Sequence, residues 1–343
     1  MSETLAALVN RAARRRRTAR ELAITTPNGI AEEHFLRIGG VDQWIQIRGE
    51  DRGNPVLLVV HGGPGSPYAL FTPLIRSWER HFTVVQWDRR GVGRTRARSG
   101  PAAPSQNTFD RLVGDAVEVI EFLRGHLAKE KVVVLAGSMG TLIGVPLAKR
   151  RPDLLTALVC TDMYADMRRN EAVSYQMTLD RVRAAGNAKA VTALERIGAD
   201  PTRWELRAWQ IKMDWTMRTD PVTPDLVSGL LFPLALASPI YTLGQLRHLL
   251  AGFIDTQKQL YAEYMAYDAY ALGTDFEVPF VLIQGADDVL TVTDLATGYY
   301  AAVRAPAKAL ALLDNGSHFA AFTQPQACLD ALLEHVTPLT RTE

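Results

Sequence analysis

Apolar positions along this chain fall into short, sharply bounded runs, and their spacing predicts the elements. Residues 34–38 and 43–47 alternate apolar and polar, with Gly39-Gly40-Val41-Asp42 between them, which predicts a hairpin. Val56-Leu57-Leu58-Val59-Val60 is apolar throughout, the pattern of a strand covered on both faces. Similar runs recur at 83–87, 131–135, 155–160, 278–284 and 308–313. Between them the spacing predicts helices over 68–80, 110–129, 142–148, 292–302 and 325–335. In the second of these, Leu112, Val113, Ala116, Val117, Ile120 and Leu123 share one face. Apolar strands alternating with helices specify an α/β fold, a parallel sheet with helices on both sides. From 163 to 274 the alternation stops and the pattern turns helical. The predicted division is an arginine-rich helical segment over 1–33, an α/β core over 34–162 and 275–343, and a helical insertion over 163–274.

The chemistry-bearing residues cluster where apolar runs end. Lys131-Val132-Val133-Val134-Leu135 leads through Ala136 into Gly137-Ser138-Met139-Gly140, and a helical pattern follows. Strand, tight turn, serine and helix make the layout of a nucleophile elbow, which needs small neighbours because both elements pass close to the serine. Gly140 fits the usual glycine two residues after the serine; Ala136 stands where the glycine before it is usual. Two later strand ends carry Gly285-Ala286-Asp287-Asp288 and Asp314-Asn315-Gly316-Ser317-His318. Serine, acid, histidine is the chain order of an α/β-hydrolase triad. A serine hydroxyl attacks at neutral pH when a histidine takes its proton, and a carboxylate holds that histidine in one tautomer. Ser138, Asp288 and His318 are the candidates. Asp287 then caps or braces the loop, and Asp162, after the 155–160 run, is the alternative acid. The oxyanion hole calls for backbone N–H groups where negative charge develops. The Met139 N–H supplies one, and Gly63, in His61-Gly62-Gly63-Pro64-Gly65, is the candidate for the second.

That glycine-proline loop, together with Asp88-Arg89-Arg90-Gly91-Val92-Gly93-Arg94-Thr95, resembles the proline iminopeptidase (prolyl aminopeptidase) branch of the α/β-hydrolases over roughly residues 34–162 and 278–336. The resemblance implies a mixed, mostly parallel eight-stranded sheet with a helical cap, and no metal or cofactor. It further implies release of an N-terminal proline or similar residue from short peptides through an acyl-enzyme. The chain departs from that branch at Met139, where tryptophan is usual, and at Arg89, where glutamine is usual. A glutamate that would take the substrate's ammonium is expected at the position of Met213. Asp214, Glu205 and Glu263 are the nearby acids that could replace it. Trp204, Glu205, Trp209, Asp214 and Tyr264 are the candidate substrate-binding residues. The aromatic content of the insertion, with Trp215, Tyr241, Phe253 and Tyr261 besides, points to an apolar or ring-bearing substrate, with one or two of these rings expected in the pocket and most packed between insertion and sheet.

Composition narrows the partners. The 343 residues are 47% hydrophobic and 22% charged, ordinary for a well-cored protein. Of the net charge of +1, residues 1–20 hold six arginines against Glu3, which leaves the rest at −4 and without a general basic bias towards nucleic acid. The arginine run is expected to be a solvated helix face. No secretory pattern opens the chain, and the most apolar stretch, 226–240, is about 15 residues, short of the ~20 that span a bilayer. Cys160 and Cys328, far apart and without metal-ligand spacing, read as buried thiols of a cytoplasmic protein. The expected partner is a small-molecule or short-peptide substrate, with no nucleic acid and no membrane. The expected reaction is serine hydrolysis of an amide or ester bond of a small apolar substrate. An aminopeptidase acting on N-terminal proline and an esterase, lactonase or amidase for a neutral molecule are the two forms of it. A carboxylate facing Ser138 from the insertion distinguishes them. A homologue that binds ligand without turnover is the reading outside enzymology.

Overall fold

The structure, a computed structural model, describes residues 10–342; the start of the arginine-rich segment, residues 1–9, lies outside them. Helix α1 (Arg11–Glu21) exposes most of its arginines, but Arg11 is buried and donates to the Tyr241 carbonyl at 3.0 Å. Strand β1 (Ile30–Ile38) starts four residues before the expected 34, so 30–33 belong to the sheet. Its alternating exposure explains the late reading: Ala31, Glu32 and Glu33 hide the period on a half-solvated edge strand. Strands β2 (Val41–Gly49), β3 (Val56–Val60) and β4 (Thr83–Asp88) follow. The helix expected over 68–80 is instead two 3₁₀ turns, Tyr68–Phe71 and Arg76–Arg80. Pro73 lies between them, and proline has no N–H to continue a helix.

Helix α2 (Gly93–Ser99) follows β4, where the spacing predicts no helix. Helix α3 (Phe109–Leu127) is capped by the Thr108 side chain and buries the predicted apolar stripe except Val117, which is half-buried. Strand β5 (Val132–Gly137), helix α4 (Thr141–Arg150) and strand β6 (Leu155–Thr161) complete the first half of the sheet. The insertion contains α5 (Met167–Ala184), α6 (Ala188–Ile197), α7 (Leu206–Arg218), α8 (Phe232–Ala237) and α9 (Leu243–Met265). Then come β7 (Phe280–Gly285), α10 (Thr293–Ala302), β8 (Lys308–Leu313), the short α11 (Ala320–Thr323) and α12 (Pro325–His335).

The sheet runs β1-β2-β4-β3-β5-β6-β7-β8. The first two pairings, β1–β2 and β2–β4, are antiparallel, and the rest are parallel. The mostly parallel eight-stranded expectation therefore holds. Strand side chains alternate between two cores: Leu58 and Val60 pack with α3, α4 and α10, while Leu57 and Val59 pack with the 68–82 segment and α12. Both cysteines are free and buried, and burial pushes the pKa of each thiol upward. Among the described residues no helix is long and apolar enough to cross a membrane.

An ion-pair network anchors the loop after β4. Asp115 on α3 is fully buried and accepts from Arg90 Nε and a terminal nitrogen at 2.6 and 2.8 Å, from Arg111 Nε at 2.7 Å and from Gln43 Nε2 at 2.8 Å. Arg90 is itself 1% exposed. This arginine of the Asp-Arg-Arg-Gly motif is therefore structural.

Candidate active site

The ends of four neighbouring strands, β5 to β8, carry Ser138, Asp162, Asp288 and His318, the crevice position where open α/β sheets bind ligands. Ser138 follows β5 directly and has φ +54°, a left-handed conformation that a non-glycine residue adopts at a cost. The turn survives because its neighbours are small. A Cβ on Gly140 would lie 2.1 Å from the Val60 carbonyl oxygen. A Cβ on Gly144 would lie 2.6 Å from the Cβ of Ala136. The alanine that breaks the usual elbow pattern is thus accommodated by a glycine on the outgoing helix.

His318 Nδ1 lies 3.0 Å from Asp288 Oδ2. Asp288 Oδ1 accepts the Leu290 and Thr291 N–H groups at 2.8 and 2.9 Å, and its Oδ2 accepts from Thr291 Oγ1 at 2.5 Å. Asp287 is exposed, so the choice between adjacent acids is set by burial. Burial, the largest influence, opposes a charge on His318. The Asp288 carboxylate outweighs it, with Asp162 and Asp220 adding, so the imidazole's pKa is raised. Asp162 has φ +49°, is buried, and lies within 4.8 Å of both His318 and Asp288. Burial pushes its carboxyl's pKa upward; His318 opposes this and Asp288 adds to it. The histidine's hydrogen bond goes to Asp288, and Asp162 stands beside it as a second acid.

The glycine-proline loop lies against the serine. A Cβ on Gly62 would be 2.8 Å from Ser138 Cβ and 2.7 Å from the Gly137 carbonyl oxygen, so only glycine fits. Gly63 has φ +128° and precedes a cis proline. Behind the loop, buried Arg89 donates to the Gly62 carbonyl at 3.2 Å and flanks the His61 ring, with nitrogen separations of 3.0 and 3.1 Å. Burial lowers the Arg89 pKa to about 9, and burial with the Arg89 charge holds the His61 pKa well down. In a trans peptide the C=O and N–H point opposite ways. A Gly62 carbonyl held by Arg89 therefore turns the Gly63 N–H away from that side chain.

The predicted binding residues separate. Met139 and Leu142 join Tyr164, Trp204, Trp209, Met213 and Tyr264 in one apolar cluster. Within it Trp209 and Tyr264 contact ring to ring at 5.3 Å, and Tyr164 and Tyr264 at 5.5 Å. Trp204 donates its Nε1 to the Gly198 carbonyl at 2.9 Å. Glu205 is exposed, and Asp214 is exposed and 2.9 Å from Arg218. Glu263 is also exposed and accepts from the Phe109 N–H at 3.0 Å. None of these three carboxylates is in the interior. Helical phase is the reason: Trp209, Lys212, Met213 and Thr216 form the buried face of α7, and Asp214 lies off it.

Sequence reasoning missed the residues that fasten the insertion to the loops. Asn170 donates to the Leu290 carbonyl at 2.8 Å and accepts the Val292 N–H at 2.9 Å. Ser174 donates to the Val289 carbonyl at 2.5 Å. Ser317 donates to buried Asp220, and Tyr241 Oη donates to Asp88 at 2.8 Å. It also missed Glu171 and Lys212, fully buried and 2.9 Å apart. A lysine inside an apolar helical stripe was the available signal.

Among the described residues, two groups of histidines and acids lie close enough to share an ion. One is Asp162, Asp288 and His318. The other, Glu32, His34 and His126, is half-buried between β1 and the C-terminal end of α3. There the Arg52 guanidinium pairs with Glu32, so the charge place beside it is already filled.

Residues 55–325 match the alpha/beta hydrolase fold family, and the chain belongs to that family. Its relatives include the "Probable aminopeptidase YbaC" of Bacillus subtilis, 25% identical over 316 residues, 91% of this chain and 98% of that one. The "Putative carbamate hydrolase RutD" of Agrobacterium fabrum is 22% identical over 299 residues, 87% and 99% of the two chains. The crystal structure of a proline iminopeptidase-related protein from Thermus thermophilus shares the fold with a TM-score of 0.64 at 19% identity, over 90% of this chain and 99% of that one. The resemblance to proline iminopeptidase-like hydrolases holds, and hydrolysis is the chemistry these relatives have in common.

Proposed function

We propose that the protein is a serine hydrolase that cleaves an amide or ester bond of a small, largely apolar substrate through an acyl-enzyme. The observation that carries this reading is Ser138 in its left-handed turn at the end of β5, with Asp288 and His318, whose side chains are 3.0 Å apart, at the ends of β7 and β8 in the same sheet. Ser138 is the nucleophile. His318 takes its proton and returns it to the leaving group, while Asp288 fixes the ring through Nδ1 and stabilises the imidazolium. The Met139 and Gly63 N–H groups receive the oxyanion, with the Gly63 peptide held in orientation by Arg89. The apolar cluster that packs on Met139, with Tyr164, Trp209, Met213 and Tyr264, supports the apolar character of the substrate.

Formation of an acyl-enzyme has a kinetic signature. Rapid mixing with a p-nitrophenyl acyl ester is expected to release a burst of nitrophenolate, about one per protein molecule, before the steady rate. A linear course from the start, together with no covalent labelling by a fluorophosphonate, would overturn the reading.

The raised pKa of His318 fixes the sign of the pH dependence. As a base His318 must be neutral, so kcat/KM rises with pH through a pKa above the ordinary imidazole value of about 6.5. Replacing Asp288 by asparagine removes the main group favouring the proton. The variant's limb is expected at lower pH, with kcat reduced by about 10⁴-fold. A pH–rate profile of both forms checks this, and an unmoved limb would remove Asp288 from its role.

A further inference from the structure

The ion pair inside the insertion has polar atoms to spare. Lys212 Nζ on α7 lies 2.9 Å from Glu171 Oε2 on α5, and both side chains are 0% exposed. The contact is one of charge without hydrogen-bond geometry. Both Glu171 oxygens and Lys212 Nζ lack a hydrogen-bond partner, as do buried Trp209 Nε1 and Tyr264 Oη. The Tyr264 hydroxyl is within reach of Trp209 and Tyr164, but in poor geometry, so the three satisfy one another only in part. Buried polar atoms are as a rule satisfied, so Glu171 Oε1, with no partner, and the under-used donors of Lys212, Trp209 and Tyr264 beside it mark a place for a polar guest.

That place adjoins the candidate catalytic centre. Tyr264 packs on Tyr164 and Trp209, in the cluster that contains Met139 beside the serine. The Glu171 charge acts on Tyr164, Tyr261 and Tyr264, and Tyr164 also senses Asp288. Glu171 is flanked on its helix by Asn170 and Ser174, both bonded to the loop that carries Asp288.

We propose that Glu171, Lys212, Trp209 and Tyr264 form the subsite that receives the far end of the substrate's acyl group. The guest is a neutral group with both a donor and an acceptor, such as a carboxamide. The inference rests on the acyl-enzyme reading of Ser138 and adds its specificity. The pair's charges cancel. An ammonium drawn to Glu171 meets Lys212, and a carboxylate drawn to Lys212 meets Glu171, so each charged guest faces a like charge in a desolvated site. A carboxamide offers its oxygen to the Lys212, Trp209 and Tyr264 donors and its NH₂ to Glu171, and meets no opposing charge. Lys212 thus stands where a substrate ammonium would otherwise sit.

The test uses the full chain and three p-nitroanilides of matched length: those of succinamic acid, 4-aminobutyric acid and succinic acid, ending in an amide, an ammonium and a carboxylate. The wild type is expected to favour the amide by about tenfold or more in kcat/KM over each charged substrate, a difference of about 1.4 kcal/mol per tenfold. Lys212→Met should raise the ammonium-to-amide ratio about tenfold, and Glu171→Gln should raise the carboxylate-to-amide ratio about as much. Opposite shifts in the two variants are something a purely structural pair would not produce. Equal ratios in all three proteins, with fluorophosphonate labelling intact, would overturn the inference and leave the serine reading standing. Should either variant fail to fold, protection of the wild type from fluorophosphonate decides: propionamide slows labelling while propylammonium and propionate do not. Protection by propylammonium equal to that by propionamide would overturn the inference. A wild type that does not label overturns the serine reading, and this inference with it.

Discussion

Replacing Ser138 by alanine is expected to lower kcat/KM by about 10⁴- to 10⁶-fold and to abolish covalent labelling by a fluorophosphonate. The loss is large because the remaining groups act on a nucleophile that is no longer there: His318 has no proton to accept and the oxyanion donors no covalent adduct to hold. Binding should be nearly untouched, so substrate analogues keep their affinity. Stability should change by less than about 1 kcal/mol, because serine and alanine meet the same strain at a left-handed position. Steady-state kinetics, mass spectrometry of the labelled protein and denaturant unfolding check these together. Retention of more than about a hundredth of the activity would exclude Ser138 as the nucleophile.

The second large effect is on stability and lies away from the chemistry. Asp115→Ala is expected to destabilise the fold by about 3–5 kcal/mol, read from the denaturant midpoint. Asp115 is the carboxylate between Arg90 and Arg111 and also accepts from Gln43. Removing it leaves the Arg90 guanidinium, 1% exposed, without its ion-pair partner in the interior. The same substitution releases the side chain of Gln43, whose own oxygen holds the Trp87 indole at 2.9 Å. A loss below about 1 kcal/mol would mean that water reaches Arg90 and that the pair is not desolvated.

The core and the candidate triad were legible in the sequence for one reason: each residue sits on or just past a strand whose own residues announce it. An all-apolar run such as 56–60 can only be a covered strand, and the loop that follows it is placed with it. The opening of β1 was not legible because a half-solvated edge strand carries Glu32 and Glu33 within its run. The insertion was less legible still. Its contacts join residues far apart in the chain, as Glu171 and Lys212 are, and no local pattern pairs them. Asp214, an acid near Trp209 in sequence, lies two positions past the lysine that matters. Spacing gives a helix its faces without saying which acid lies on the inner one. Glu205 was chosen in the same way, for its chemistry and its place beside Trp204, and it faces outward.

The fastenings between the insertion and the strand-end loops bear on how a substrate gets in. Asn170 and Ser174 are tied to the acid's loop, Asp220 to the loop of the histidine, and Tyr241 to Asp88 at the end of β4. Hinging the insertion upward as one plate would break all of these together and pull on the very loops that hold the acid and the base. If Ser138, Asp288 and His318 act as proposed, access and catalytic alignment are mechanically linked: a motion wide enough to admit a bulky guest would disturb the triad while it lasted. On that proposal the roof of the site is part of the frame that aligns it, and a compact substrate that threads between side chains disturbs that frame least.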